Sequence, residues 1–147
     1  MIIYQKEGII TRSDDKTNIK HFFDVPEGTE KIIIRYSYNP KTVEDEKLAD
    51  ALLLEGMERY GALELDKNSL LPVKNLITLS FDECGKYRGA CHRQSNDQTV
   101  IISDSQSTPG VINRKIESGK WDIVLNVHYA GCKINYKLEI DAEGVTR

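Results

Sequence analysis

Apolar and polar residues alternate with a period of two through most of the chain. In "KIIIRYSY", Ile32, Ile34, Tyr36 and Tyr38 share one face while Ile33, Arg35 and Ser37 take the other, which predicts a half-buried β-strand. "NLITLSF" repeats the pattern with Ile77, Leu79 and Phe81, and "WDIVLNVHY" with Trp121, Ile123, Leu125, Val127 and Tyr129. "CKINYKLEI" does so with Ile134, Tyr136, Leu138 and Ile140. Only Ala130 and Gly131 stand between these last two runs, a spacing that predicts a tight hairpin. Pro26 and Gly28 in "DVPEGTE" mark a turn between "NIKHFF" and "KIIIRYSY". With "IIYQ", "GIIT", "TVIIS" and a short "VINRKI", the chain holds about eight or nine strands at turn-punctuated intervals, as a sandwich or barrel requires.

One segment breaks the alternation. In "TVEDEKLADALLLEGMERY", Leu48, Ala49, Leu52, Leu53, Met57 and Tyr60 cover one half of a helical wheel, and Lys47, Asp50, Glu55 and Glu58 the other. Thr42 and Asp45 have the spacing of a capping box, and Glu44, Asp45 and Glu46 place negative charge where a helix dipole favours it. The expectation is an all-β fold: a two-sheet antiparallel β-sandwich, jelly-roll-like, with one inserted amphipathic helix near residues 43–60 that lies as a lid over the sandwich. No repeat or linker divides the chain, so residues 1–147 read as a single domain.

Composition narrows the function classes. Twenty basic and 23 acidic residues leave a formal net charge of −3, too acidic for general nucleic-acid binding, which needs a basic face against phosphates. Lys6 and Glu7 interrupt the apolar start before it becomes a signal peptide core, and no run approaches the ~20 apolar residues of a membrane span. Three cysteines, Cys84, Cys91 and Cys132, are an odd number without CxxC spacing. This predicts reduced thiols in a cytoplasmic protein rather than a disulfide framework.

The residues best suited to recognition lie in "YRGACHRQ". Arg88 and Arg93 offer fixed forks of donors, His92 gains charge near neutral pH, and Gly89 permits close approach of a ligand to the backbone. That group suits a small anion, with His128 as an outlying member, although both arginines equally suit surface ion pairs with the many acids. A divalent metal such as zinc would draw on His92, His128 and Cys132, but the spacings of known metal motifs are missing. Strand parity turns His128 away from the face of Trp121 and Leu125. His21 reads as an ordinary strand residue, and Trp121 as a core residue; exposed, it would serve as a sugar-stacking platform. No GxSxG elbow, Walker loop or GxGxxG is present. "STPGVINRKIESGKW" reads as a Pro109-Gly110 turn, a short strand from Val111 to Ile116 carrying Arg114 and Lys115, and a second turn at Ser118-Gly119.

Taken in order, "FFDVPEGTEKIIIRYSYNP", "NLITLSFDECGKYRGACHRQ" and "STPGVINRKIESGKWDIVLNVHY" resemble the non-catalytic amino-terminal β-sandwich domain of CehA/McbA-type metal-dependent phosphoesterases, in which a PHP-type hydrolase domain follows. The likeness runs from about residue 22 to residue 140. Ala90 stands where that group often has tryptophan, and the His-x-His and Ser-Asp-Gly metal motifs of the hydrolase domain are absent. The resemblance therefore implies an accessory sandwich standing alone, without transferable phosphoesterase activity.

The sequence thus leads to a non-catalytic accessory or binding module that recognises a small anionic or carbohydrate ligand or assists a separate hydrolase. Arg88, His92, Arg93 and His128 form its expected surface, and no cofactor, nucleic acid or membrane is expected. A small metal-dependent hydrolase using His92, His128 and a cysteine is the first alternative. A structural protein that forms a homodimer is the second.

Overall fold

In the computed structural model, residues 1–61 and 71–144 are described. The elements are β1 (Ile2–Ile10), β2 (Asn18–Val25), β3 (Lys31–Asn39), α1 (Glu46–Arg59), β4 (Leu76–Glu83), β5 (Lys86–Cys91), β6 (Asp97–Ser103), β7 (Gly119–Tyr129) and β8 (Ile134–Glu143). They build two four-stranded antiparallel sheets, ordered β1-β8-β3-β6 and β2-β7-β4-β5. The chain passes from one sheet to the other after nearly every strand, in the manner of a jelly roll. This is the expected all-β two-sheet sandwich.

The alternation explains the core. Ile32, Ile34, Tyr36 and Tyr38 of β3, with Ile134, Tyr136, Leu138 and Ile140 of β8, turn inward from the first sheet. Ile77, Leu79 and Phe81 of β4, with Trp121, Ile123, Leu125 and Val127 of β7, meet them from the second. Each side chain of this kind contributes roughly 1.5–3 kcal/mol when fully removed from water. Trp121 is a core residue as its parity implies, with its indole N–H donating to the Glu117 carbonyl at 2.8 Å.

Three local expectations are corrected. β7 and β8 are not a hairpin: they belong to different sheets, and residues 130–133 cross between them. Asn75 explains the crossing, because its buried side chain accepts from the Gly131 N–H at 2.8 Å and donates to the Pro40 carbonyl at 3.0 Å. Residues 111–116 are not a strand either; they touch the second sheet through one bridge, Val111 to Gly89, and otherwise run as a strap. Finally, α1 begins after Asp45, whose carboxylate accepts from the Leu48 N–H at 3.0 Å, whereas Thr42 bridges Lys74.

The helix buries Ala49, Leu52 and Met57. Ala49 and Leu52 join Val43 and Val73 in a small second cluster, against which Leu48, Leu53, Tyr129 and Cys132 pack. Tyr60, expected on the buried stripe, is 72% exposed. No helix among the described residues is long and apolar enough to cross a membrane.

Candidate functional site

The expected recognition residues separate into three environments. Arg88 is wholly buried, a correction that follows from the shape of β5. Counting outward from Cys91, opposite Leu79, Ala90 pairs with Ser80 and Gly89 with Phe81; the register then slips, and Tyr87 pairs with Asp82. This β-bulge inserts one residue and reverses the parity beyond it, so Arg88 points inward and Tyr87 outward. Gly89 makes the bulge possible. Its φ is +147°, and a Cβ there would stand 2.5 Å from the Gly110 carbonyl oxygen.

Inside, Arg88 meets Glu83, which continues the inward face of β4 and is itself 1% exposed. One terminal nitrogen of Arg88 donates to both Glu83 oxygens at 2.9 Å. The other donates to the Ser103 carbonyl at 3.2 Å and to the Arg114 carbonyl. Arg114 reaches the same carboxylate at 2.7 Å, and the Glu117 N–H donates to it at 2.8 Å. Burial pulls the Glu83 pKa upward, but the Glu117 N–H, Arg114 and Arg88 more than offset it and hold the carboxyl below its ordinary value. The expected anion site at Arg88 is therefore a structural clasp that fastens the strap of residues 104–118.

His92 and His128 do come together, on the outward face of the second sheet. Thr78 lies between them, its hydroxyl 3.1 Å from His92 Nδ1 and 2.8 Å from His128 Nε2, and the two rings sit edge to face with centroids 6.0 Å apart. Arg93 follows as an exposed loop residue. Cys132 does not join them. It packs under the helix and accepts from Asn75 Nδ2 at 3.5 Å. Among the described residues no three His, Cys, Asp or Glu side chains converge to hold a metal ion, so the set His92, His128 and Cys132 does not assemble. The three cysteines are free thiols.

A concavity that the sequence did not reveal lies between α1, residues 12–16, residues 72–74 and the end of β7. Its volume is about 490 Å³. Leu52, Leu53, Met57 and Val73 form its apolar wall, and Tyr129 part of its base. Burial pushes the Tyr129 phenol above its ordinary pKa. Arg12, Lys16, Arg59 and Lys74 converge on the same space against two carboxylates, Asp15 and Glu55. Glu55 is shared by Arg12 at 3.4 Å and Arg59 at 3.7 Å, and Lys16 stands 3.8 Å from Asp15. These cations come from three separate segments, residues 12–16, α1 and residues 72–74, which is why no local motif marked them.

No family model matches the chain, and no curated protein matches it either. Among solved structures, the crystal structure of GEBA250068378 from Sulfurospirillum deleyianum is similar over 94% of this chain and 98% of that chain, with 10% sequence identity and a TM-score of 0.35.

Proposed function

We propose that this chain is a non-catalytic binding module that takes a small anion with an apolar body into the cavity under α1. The observation that carries the proposal is the meeting, in about 490 Å³, of an aliphatic wall with four cationic side chains and only two carboxylates. Ligand sites commonly combine a mostly apolar concavity with a few convergent polar groups. The existing ion pairs are surface pairs, worth about 0–1 kcal/mol each, so a ligand anion can draw Arg12 and Arg59 away from Glu55 at little cost. The resemblance to the amino-terminal sandwich of CehA/McbA-type phosphoesterases supports a non-catalytic role beside a separate hydrolase.

Calorimetric titration with octanoate, octyl phosphate and inorganic phosphate tests this reading. The amphipathic anions are expected to bind and inorganic phosphate alone to bind far more weakly, with Arg59→Ala and Lys74→Ala each weakening the amphipathic ligands about tenfold. Equal, weak binding of all three, unaffected by either substitution, would refute it.

A further inference from the structure

The two outward sheet faces are built differently. On the first sheet the charges alternate in sign and pair: Arg35 reaches Glu139 at 3.0 Å and Asp141 at 3.9 Å, and Lys137 lies 3.9 Å from Glu7. On the second sheet one row runs straight across all four strands. Phe22 of β2 is opposite Asp122 of β7, Asp122 is opposite Asp82 of β4, and Asp82 is opposite Tyr87 of β5. Like charges directly opposite each other destabilise a sheet, and neither carboxylate takes part in an ion pair among the described residues.

Asp122 is only 9% exposed, and its Oδ1 is buried without a hydrogen-bond donor. Its neighbours on this face, Lys20, Phe22 and Lys120, are exposed side chains that can swing aside. Lys120 makes no ion pair with either carboxylate; its ammonium rests 4.5 Å from the centre of the Phe22 ring, and Lys20 is the cation whose charge acts on Asp122. At the two ends of the row stand two aromatic side chains that are about half exposed, Phe22 at 51% and Tyr87 at 57%. A singly exposed aromatic is ordinary on a surface, but here two stand in register at the ends of one polar strip.

We propose that this row is a carbohydrate-binding platform on which a neutral linear oligosaccharide lies across the strands. Sugar rings would stack on Phe22 and Tyr87, and hydroxyls would donate to Asp82 and Asp122. Three inter-strand steps span about 14 Å, which suits a short oligosaccharide rather than one compact ligand. The same span separates the two rings too widely for them to cage a single ammonium, which needs each ring within about 6 Å. Charge also favours a neutral ligand, since Lys20 and Lys120 nearly balance Asp24, Asp82 and Asp122 on this face. A divalent cation is disfavoured because the row itself holds only two carboxylates and, among the described residues, no third His, Cys, Asp or Glu converges with them. A sugar supplies what the row lacks: a hydroxyl donor for the buried Asp122 Oδ1, further hydroxyls for Asp82, and flat C–H faces for the two exposed rings.

The platform lies outside the cavity under α1, so the two sites are separable. Calorimetric titration and amide chemical-shift mapping of the full chain with neutral hexasaccharides, the cello-, xylo-, malto-, laminari- and chito-series, test it. At least one series is expected to bind with shifts confined to the outward faces of β2, β7, β4 and β5. Phe22→Ala, Tyr87→Ala and Asp122→Ala should each weaken it at least about tenfold, whereas Lys74→Ala in the cavity leaves it unchanged. Phe22 and Tyr87 are surface residues, so those variants fold and remain informative if Asp122→Ala does not. The proposal fails if no series perturbs the face, if binding survives the Phe22→Ala, Tyr87→Ala double variant, or if calcium alone saturates the row and excludes the sugar.

Discussion

The two long sides of the sandwich are closed in opposite ways. Where β5 and β6 face each other, residues 104–118 cover both edges: the Ala90 N–H donates to Gly110, the Ile112 N–H to Arg88 and the Thr108 N–H to Ile101. The Arg88–Glu83 clasp is buried beneath them. Where β1 and β2 face each other, no described segment covers the edges, and the sheets are joined by a part-buried chain of rings. Tyr4 of β1 lies 3.0 Å from His21 Nδ1, and His21 Nε2 lies 3.1 Å from the Tyr136 hydroxyl. Lys6 sits at an inward position opposite Leu138, and an inward edge charge is one device that discourages further strand pairing. One side is thus sealed by a charged clasp with few alternatives, and the other by neutral hydrogen bonds that can adjust.

The largest effect is expected from the clasp. Arg88→Met leaves Glu83 buried with Arg114 and the Glu117 N–H alone to satisfy it, and removing one partner of a buried ion pair costs about 3–5 kcal/mol. Urea denaturation should show this loss, and Glu83→Leu added to Arg88→Met should recover much of it, because two apolar side chains need no partners. A double variant as unstable as the single one would mean that the strap depends on the charges themselves.

A matched pair of glycine substitutions sharpens the contrast. Gly89→Ala meets the backbone of Gly110 and Val111 with φ at +147°, a collision that the clasped side cannot relax, and should cost about 1–3 kcal/mol. Gly8→Ala meets the ring end of the Tyr136 side chain, which lies over Gly8 across the β1–β8 pair. That ring is a buried side chain hydrogen-bonded to His21, but it can rotate where the Gly110 backbone cannot, so the cost should be about 1 kcal/mol, the low end of overpacking penalties. Thermal melts that rank the two in the reverse order would break the comparison.

The smallest effect is one of pH. Burial, and then Lys6, lower the His21 pKa below its ordinary value of 6.5. The unfolded chain then takes up a proton more readily than the folded one, so stability is complete above pH 6.5 and declines as pH falls toward the folded value. Tyr4 and Lys6 of β1 and Tyr136 of β8 are the titratable groups that face the ring. Glu83 works in a lower window, because its depressed pKa contributes stability that is lost only as pH falls below 4.5. Stability measured between pH 7 and 5 should therefore fall slightly in the native chain and less in His21→Gln, while the clasp stays intact until stronger acid.

Much of this contrast was written in strand parity, and part of it was hidden by one residue. Parity along β4 places Glu83 in line with Ile77, Leu79 and Phe81, so a buried acid in need of a cation was legible. Parity along β2 turns Phe22 outward between the inward His21 and Phe23, which made an exposed ring legible too. Arg88 was misjudged as a surface donor because a β-bulge at Gly89 turns Arg88 inward and Tyr87 outward, and a bulge depends on the register of the neighbouring strand. The link between β7 and β8 suggested a hairpin because two small residues fit one. Asn75, distant in sequence, holds Gly131 in a crossing between sheets instead.

The sequence by itself determined the period-two strands, their inward faces, the one helical insert and hence a two-sheet core, because these follow from backbone geometry and local burial. Tertiary structure alone decided which strands pair, which charges are buried, and which residues share a surface. The cavity cations come from three segments, and the row from Phe22 to Tyr87 takes one residue from each of four strands. Such neighbours are set by register and sheet order, which depend on packing across the whole molecule rather than on any short stretch of chain.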